Sequence, residues 1–168
     1  MVAYLRYDSA STAQRHSALV RLYALVYAEP PYREGPEQVK HFRTRFTDDA
    51  QQPGFSLVTA EDDERLVGAA YGWTMPAGSW WPGADDTDIA AVDKFAVLEW
   101  LVDPHYRSKG IGGRLFRQLL QDRPEPLATL AADPRSPARA IYARAGWRQA
   151  GTLTLAWGTP MDLLVIET

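Results

Sequence analysis

The chain of 168 residues contains no cysteine, which by itself excludes disulfide bridges, thiolate zinc sites and a cysteine nucleophile. It also lacks any uninterrupted apolar run near the roughly 20 residues that a membrane-spanning helix needs. The opening segment from Met1 to Ala10 carries charges where a secretory leader would be apolar. A soluble, cytoplasmic protein with no membrane partner is expected. A basic excess is missing too: 18 Lys and Arg stand against 21 Asp and Glu, a net charge of −3, so nucleic acid is not an expected partner. Histidine is scarce. His16 and His41 fall on expected helices with no second ligand at i+4, and His105 flanks a turn, so all three are read as structural and no metal is expected.

What is present fits one globular domain over residues 1–168: 46% of residues are hydrophobic, 11% aromatic and 23% charged, enough to bury a core without staples. The 12 glycines and 12 prolines are dispersed, and no internal repeat or low-complexity tract is visible. Charge is not dispersed. Residues 48–99 hold eleven acids and two bases, a net of −9, whereas residues 103–148 hold nine bases and four acids, a net of +5. A polyanionic ligand would be drawn to the second segment.

Hydrophobic spacing gives a coarse map. Ala3 to Tyr7 reads as a strand, and Ser11 with Gln14 as a capping box that opens a helix. The apolar stripe of that helix is Leu19, Leu22, Tyr23, Val26 and Tyr27, and Pro30 and Pro31 stop it. A second helix starts at Pro36 and aligns Val39, Phe42 and Phe46. Phe55–Ala60 and Arg65–Trp73 suit a hairpin joined by a short acidic turn. Residues 74–93, with Trp80, Trp81 and four acids, show no period and read as a long loop. Lys94–Val102 is an apolar run typical of a central strand, with Glu99 its one charge after the lysine. Beyond it come a glycine-rich turn, a helix lined by Ile111, Leu115, Phe116, Leu119 and Leu120, a strand over Leu127–Ala132, and a short helix over Pro137–Ala145. Trp147–Trp157 and Met161–Glu167 form a closing hairpin. The class is mixed α/β (α+β), with one central twisted sheet of about six to seven strands flanked by helices.

The turn between the apolar strand and the amphipathic helix is the chemically pointed segment. Arg107, Ser108, Lys109, Gly110, Ile111, Gly112 and Gly113 combine close-bending glycines with basic side chains at a helix start. A helix N-terminus adds about half a positive charge, which matches a pyrophosphate. Two familiar phosphate loops fail here: the last glycine spacing of the dinucleotide fingerprint is absent, and no Gly-Lys-Ser/Thr follows for a nucleotide P-loop.

Arg107, Gly110 and Gly112 spell Arg-x-x-Gly-x-Gly, preceded by Val102, Asp103, Pro104 and Tyr106 and followed by Ala138, Tyr142, Gly146 and Trp147. In these residues and in element order over nearly the whole chain, the sequence resembles the GCN5-related N-acetyltransferase (GNAT) superfamily. Pro30, Pro31, Tyr32, Tyr71 and Gly72 resemble a bacterial branch of it with unassigned acceptors. The resemblance implies an opening between the fourth and fifth strands, a pantetheine arm along Trp100, Leu101 and Val102, and a pyrophosphate on the amides of Arg107 to Gly112. Acetyl-CoA is the implied acyl donor. The family's common asparagine seven residues before the helix tyrosine is Arg135 here, an arginine suited to a phosphate instead.

Two catalytic candidates follow. Glu99 sits in an apolar strand, where desolvation raises a carboxyl toward the range of a general base for an amine, and the resemblance supports a fourth-strand glutamate in that role. Tyr142, at the family's tyrosine position, is the candidate acid for the leaving thiolate. Tyr23, Tyr27, Tyr32, Trp80 and Trp81, with the acid-rich middle segment, form the expected aromatic and electronegative acceptor site for a cationic amine. The expected partner is a small-molecule or peptide amine, and the terminal hairpin permits a homodimer. The alternative is a non-catalytic acyl-CoA-binding sensor or interaction module on the same fold.

Overall fold

Seven strands and four α-helices make up the computed structural model, which describes residues 1–85 and 87–168. Asp86, one of the acids of the middle segment, lies outside the described residues. The order is β1 (Val2–Tyr7), α1 (His16–Tyr27), α2 (Pro36–Asp49), β2 (Ser56–Asp62), β3 (Arg65–Met75), β4 (Lys94–Val102), α3 (Ile111–Leu120), β5 (Leu127–Ala132), α4 (Pro137–Arg144), β6 (Arg148–Thr154) and β7 (Pro160–Glu167). Hydrogen bonding links the strands in the order β1-β2-β3-β4-β5-β7-β6. Pairing is parallel at β4–β5 and antiparallel at β1–β2, β2–β3, β5–β7 and β6–β7. The mixed class and the strand number are those expected from the sequence.

The chain divides into two compact units, Met1–Trp73 with Leu98–Gln121 and Thr74–Val97 with Asp122–Thr168. In the first unit α1 and α2 bring their apolar stripes together: Leu19, Leu22, Tyr23, Phe42 and Phe46 are buried in one cluster with Leu57, Tyr71 and Leu101 from the strands. Stacked rings give this core its shape, with Tyr23 on Phe42 at 3.9 Å between centroids and Phe46 edge-on to Tyr71 at 5.0 Å. The β2–β3 hairpin turns through Asp63 and Glu64, both with positive φ (47° and 66°), the conformation that matches strand twist in a two-residue turn.

The expected helix start at Ser11 is corrected. Ser11 makes no side-chain cap; a 3₁₀ turn over Thr12–Arg15 follows it, and α1 begins at His16. The cause is local competition. Asp8 lies three residues earlier; its carboxylate accepts from the Ser11 N–H at 2.9 Å and from the Ser11 hydroxyl at 2.7 Å, while the Ser11 Oγ accepts from the Asp8 N–H at 3.1 Å, which turns the oxygen a cap would use back toward Asp8. The capping-box half-bond occurs instead at α2, where Gln38 Oε1 accepts from the Gly35 N–H at 2.9 Å.

In the second unit, the β4–β5 ladder runs from Lys94↔Leu127 to Ala96↔Thr129, and β5 continues against β7 to Ala132↔Asp162. Phe95, Ala128, Leu130, Leu163, Leu164 and Val165 are buried here. The closing hairpin is shorter on one arm than the sequence suggested. β6 ends at Thr154, because Leu155 N–H bonds to Thr159 O at 2.9 Å and Gly158 turns at φ 89°.

One glycine decides how closely α3 approaches the sheet in the first unit. A Cβ at Gly68 would stand 2.9 Å from Leu115 Cδ1, 3.2 Å from Ile111 Cγ2 and 3.3 Å from Leu101 O. Leu115 is fully buried and Ile111 nearly so, so neither side chain has free space to yield into. Gly68→Ala is expected to destabilise the fold by about 1–3 kcal/mol, the usual cost of overpacking. Urea denaturation checks it: a lower midpoint with an unchanged slope is expected, and an unchanged midpoint would show that α3 has slack.

Candidate functional site

The glycine-rich turn is built by what precedes it. Asp103 follows β4 nearly without exposure, its N–H on Val67 O at 2.9 Å, and its carboxylate accepts from the His105 N–H at 2.9 Å and from Arg65 Nη2 at 2.6 Å. This clamps the chain as it leaves the sheet. Ser108 (φ 62°) and Gly110 (φ 77°) then take left-handed backbone, and α3 starts at Ile111 with the Arg114 N–H bonded to Gly110 O at 3.1 Å. The first amides of a helix have no partner within it.

Trp100 ties the strand to the turn. Its indole N–H donates to Gly112 O at 3.0 Å and its ring meets Phe116 edge-on at 5.4 Å. A Cβ at Gly112 would stand 2.7 Å from the same indole, whereas one at Gly113 would meet nothing within 4 Å. Gly112 is required by Trp100, and Gly113 leaves the first turn of α3 approachable. The spacing of Trp100 and Gly112 carried no signal that sequence reasoning could use.

The basic side chains around the turn are engaged rather than loose. Arg107 Nη1 pairs with Glu29 Oε2 at 2.7 Å, Lys109 Nζ sits 4.6 Å from the Tyr106 ring centroid, and the Arg114 guanidinium lies 4.2 Å from that of Tyr4. Glu29 belongs to the α1–α2 connection, so the turn and that connection share an ion pair. With its left-handed glycine, open Gly113 face and three cations, the turn fits the pyrophosphate of an acyl-CoA.

Glu99 lies on β4 in the same unit and is 6% exposed. Both oxygens are occupied: Oε2 accepts from the Tyr27 hydroxyl at 2.6 Å and Oε1 from Arg45 Nη2 at 2.5 Å. Burial pushes its carboxyl above the ordinary glutamate value, with Arg45 and Tyr27 pulling the other way. Arg45 is half exposed and also lies 3.7 Å from Asp49. Asp49 is buried and accepts from the Tyr71 hydroxyl at 2.9 Å and Trp73 Nε1 at 3.2 Å. The result is a continuous polar chain through the core.

The three tyrosines named from the sequence come together beside Glu99. Tyr27 packs against Tyr23 at 4.5 Å and edge-on to Tyr32 at 4.7 Å, and the Tyr23 hydroxyl donates to Glu34 Oε2 at 2.5 Å. Two carboxylates, Glu34 and Glu99, therefore cap one aromatic cluster. Sequence reasoning missed Glu34, Arg45 and Asp49. Arg45 precedes Phe46 of the α2 stripe, and a basic residue on the border of an apolar stripe is the one hint available.

The remaining candidates belong to the second unit. Arg135 forks onto Asp133, with Nε to Oδ1 at 3.0 Å and Nη2 to Oδ2 at 2.6 Å, and its own N–H adds 2.9 Å to Oδ1. Tyr142 is 9% exposed, its ring 5.9 Å from that of Trp147. Trp80 and Trp81 are half-buried, and Trp81 Nε1 donates to Thr129 Oγ1 at 3.0 Å. Among the described residues no group of three or more His, Asp or Glu could hold a metal ion, and no helix is long and apolar enough to cross a membrane.

The model of the acetyltransferase (GNAT) family matches residues 19–147. Several solved structures have the same fold. The PaiA N-acetyltransferase from Thermoplasma acidophilum, solved in complex with coenzyme A, is 11% identical over 100% of this chain and 99% of that one, with a TM-score of 0.68. The ribosomal-protein-S18-alanine N-acetyltransferase from Escherichia coli is 14% identical over 99% and 94%, with a TM-score of 0.64. The Drosophila melanogaster polyamine N-acetyltransferase, which forms N-acetylagmatine, is 15% identical over 100% of both, with a TM-score of 0.65. A comparison with curated proteins finds no match.

The raised carboxyl of Glu99 has a thermodynamic signature. Between the ordinary value of 4.5 and the higher one in the fold, the folded chain keeps a proton that the unfolded chain has released. The contribution of this group to stability therefore falls as pH rises through that window. In Glu99→Gln that slope is absent, so wild type should lose stability relative to the variant as pH climbs above 4.5. Urea titrations across pH measure it; parallel curves would remove the buried carboxyl as the cause.

Proposed function

Since the chain belongs to the acetyltransferase (GNAT) family, we propose that it transfers an acetyl group from acetyl-CoA directly to a primary amine of a small molecule or peptide. The observation that carries this reading is a single strand, β4, that holds a buried glutamate at Glu99 and runs into a basic glycine turn at Arg107 to Gly113. Relatives with the fold that act on a polyamine and on a protein's alanine support both kinds of acceptor.

The residues divide the work by their chemistry. The amides and cations from Arg107 to Gly113 hold the pyrophosphate, and the backbone of Trp100, Leu101 and Val102 guides the pantetheine arm, with an N–H near Leu101 or Val102 facing the developing oxyanion. When bound, acetyl-CoA supplies a thioester carbonyl for the amine to attack. A primary amine with a pKa near 10.4 is mostly protonated at neutral pH, and Glu99 is the base that takes its proton. The amine then forms the new C–N bond, the C–S bond breaks as Tyr142 protonates the leaving thiolate, and the second proton that the nitrogen sheds on becoming an amide restores the tyrosine. With no cysteine to carry the acetyl group, transfer within a ternary complex is the direct route. The aromatic side chains of Tyr23, Tyr27, Tyr32, Trp80 and Trp81, together with Glu34, favour a cationic amine.

A thiol-release assay with acetyl-CoA against polyamines, aminoglycosides and peptide N-termini tests the reading. Acceptor-dependent release is expected. Tight acetyl-CoA binding with no release across the panel would point to a binding module instead. Glu99→Gln and Tyr142→Phe should each lower kcat by roughly 10²-fold or more near neutral pH, with acetyl-CoA Kd little changed. Full turnover in either variant removes that residue from the chemistry.

Glu29 makes a second prediction. It neutralises Arg107 in the free protein and would repel an arriving pyrophosphate. Glu29→Gln should tighten acetyl-CoA binding by up to about fivefold, the range of a half-exposed ion pair, and the gain should shrink with added salt. Calorimetry at two ionic strengths checks both; an unchanged Kd means that Arg107 does not meet the phosphates.

A further inference from the structure

Lys94 opens β4 and is 0% exposed. The burial of its aliphatic stem is ordinary, but a buried ammonium group needs partners. Its Nζ has four: the main-chain carbonyls of Ser79 and Val92 at 2.7 Å each, Ala90 at 3.1 Å and Pro76 at 3.3 Å. Three N–H donors are thus spread over four neutral acceptors, and all four belong to the connection between β3 and β4.

That connection has little regular structure of its own. Among the described residues between Met75 and Lys94 it forms one short 3₁₀ turn, Asp88–Ala91. Gly78 N–H bonds to Ala90 O at 2.7 Å and Ser79 N–H to Pro76 O at 3.1 Å, while Ala77 N–H reaches Asp93 Oδ1 at 2.8 Å. Ala90 O and Pro76 O accept from Lys94 as well, so the ammonium sits where the two arms of the loop meet. Four carbonyl dipoles aimed at one point repel each other unless a cation occupies it. Trp80 is part of the same arrangement, with its ring centroid 6.0 Å from Nζ. Trp81 is held at its far side, through Thr129 Oγ1, which in turn donates to Leu164 O at 2.9 Å.

We propose that Lys94 is a positioning residue: its ammonium is the internal cation that sets the path of the described residues from 76 to 92 and thereby the placement of Trp80 and Trp81, on which recognition of the amine acceptor depends. The last step rests on the acceptor role given to the two tryptophans above. A methionine fills the same volume but donates nothing, and an alanine leaves a space ringed by carbonyl oxygens that a small ammonium ion can enter.

Hydrogen exchange over residues 76–92, acceptor KM and acetyl-CoA Kd together test the proposal in Lys94→Met and Lys94→Ala. Exchange at the Gly78 amide and acceptor KM should each rise about tenfold, the effect of losing one good hydrogen bond, while acetyl-CoA Kd stays put. Ammonium chloride, and not sodium chloride at equal ionic strength, should restore Lys94→Ala. Unchanged exchange overturns the proposal. Faster exchange with unchanged KM also overturns it, and Trp80→Ala and Trp81→Ala in the same assay then separate the two readings. A raised KM in those variants keeps the acceptor role of the tryptophans, and an equal KM removes it. If the lysine variants do not fold, wild type decides by proton–nitrogen NMR of its three lysines, Lys40, Lys94 and Lys109. One ammonium in slow exchange with water supports the proposal, and none overturns it.

Discussion

A carboxylate inside a sheet has to be matched by donors, and much of the first unit is arranged around that requirement at Glu99. Water cannot solvate it, so the two donors come from different helices, Tyr27 from α1 and Arg45 from α2. Either helix displaced by an ångström or two would leave a buried charge with one partner, a state far costlier than the intact pair. The apolar stripes of α1 and α2 permit a range of packings; the pair of bonds to Glu99 selects among them. Arg45 then passes the constraint on to Asp49, and through Asp49 to Tyr71 and Trp73 of β3.

The same economy of contacts appears at the turn. Trp100 is adjacent to Glu99 in sequence and points the other way in the strand's alternation, so one dipeptide serves two layers. Glu99 binds the helices before the hairpin, and Trp100 binds the helix after the turn through Gly112 O. A change in the twist of β4 at this point would be felt at both. The α1–α2 connection closes the circuit, since Glu29 reaches Arg107 while Tyr32 rests on Tyr27.

What was legible in the sequence follows from how local each signal is. Helix stripes, the apolar strand Lys94–Val102 and the strand–turn–helix around Gly110 are repeated over many residues, and they fall where periodicity put them. The candidate site residues Glu99, Tyr23, Tyr27 and Tyr32 were readable as residue types in unusual places. Their partners were not. Arg45, Glu34 and Asp49 are ordinary surface-type residues until the fold carries them next to Glu99 or Tyr23, over separations as long as 54 residues. The Ser11 cap failed for the opposite reason, because Asp8, only three residues away, offered a better partner than the helix did. Residues 74–93 read as a long loop because the contacts that gather it, four main-chain carbonyls on the single side chain of Lys94, follow no repeating pattern.

The cations of the turn have a further kinetic meaning. Lys109 lies over Tyr106 and Arg114 over Tyr4, each with its charge resting on a ring face instead of sunk into a carboxylate. A carboxylate partner cancels the field of a cation at a distance, whereas a ring leaves most of it intact. Within a Debye length of roughly 8 Å at physiological salt, an approaching polyanion therefore meets two positive charges held on ring faces. Such charges act on the frequency of productive encounters more than on how long a complex lasts once formed.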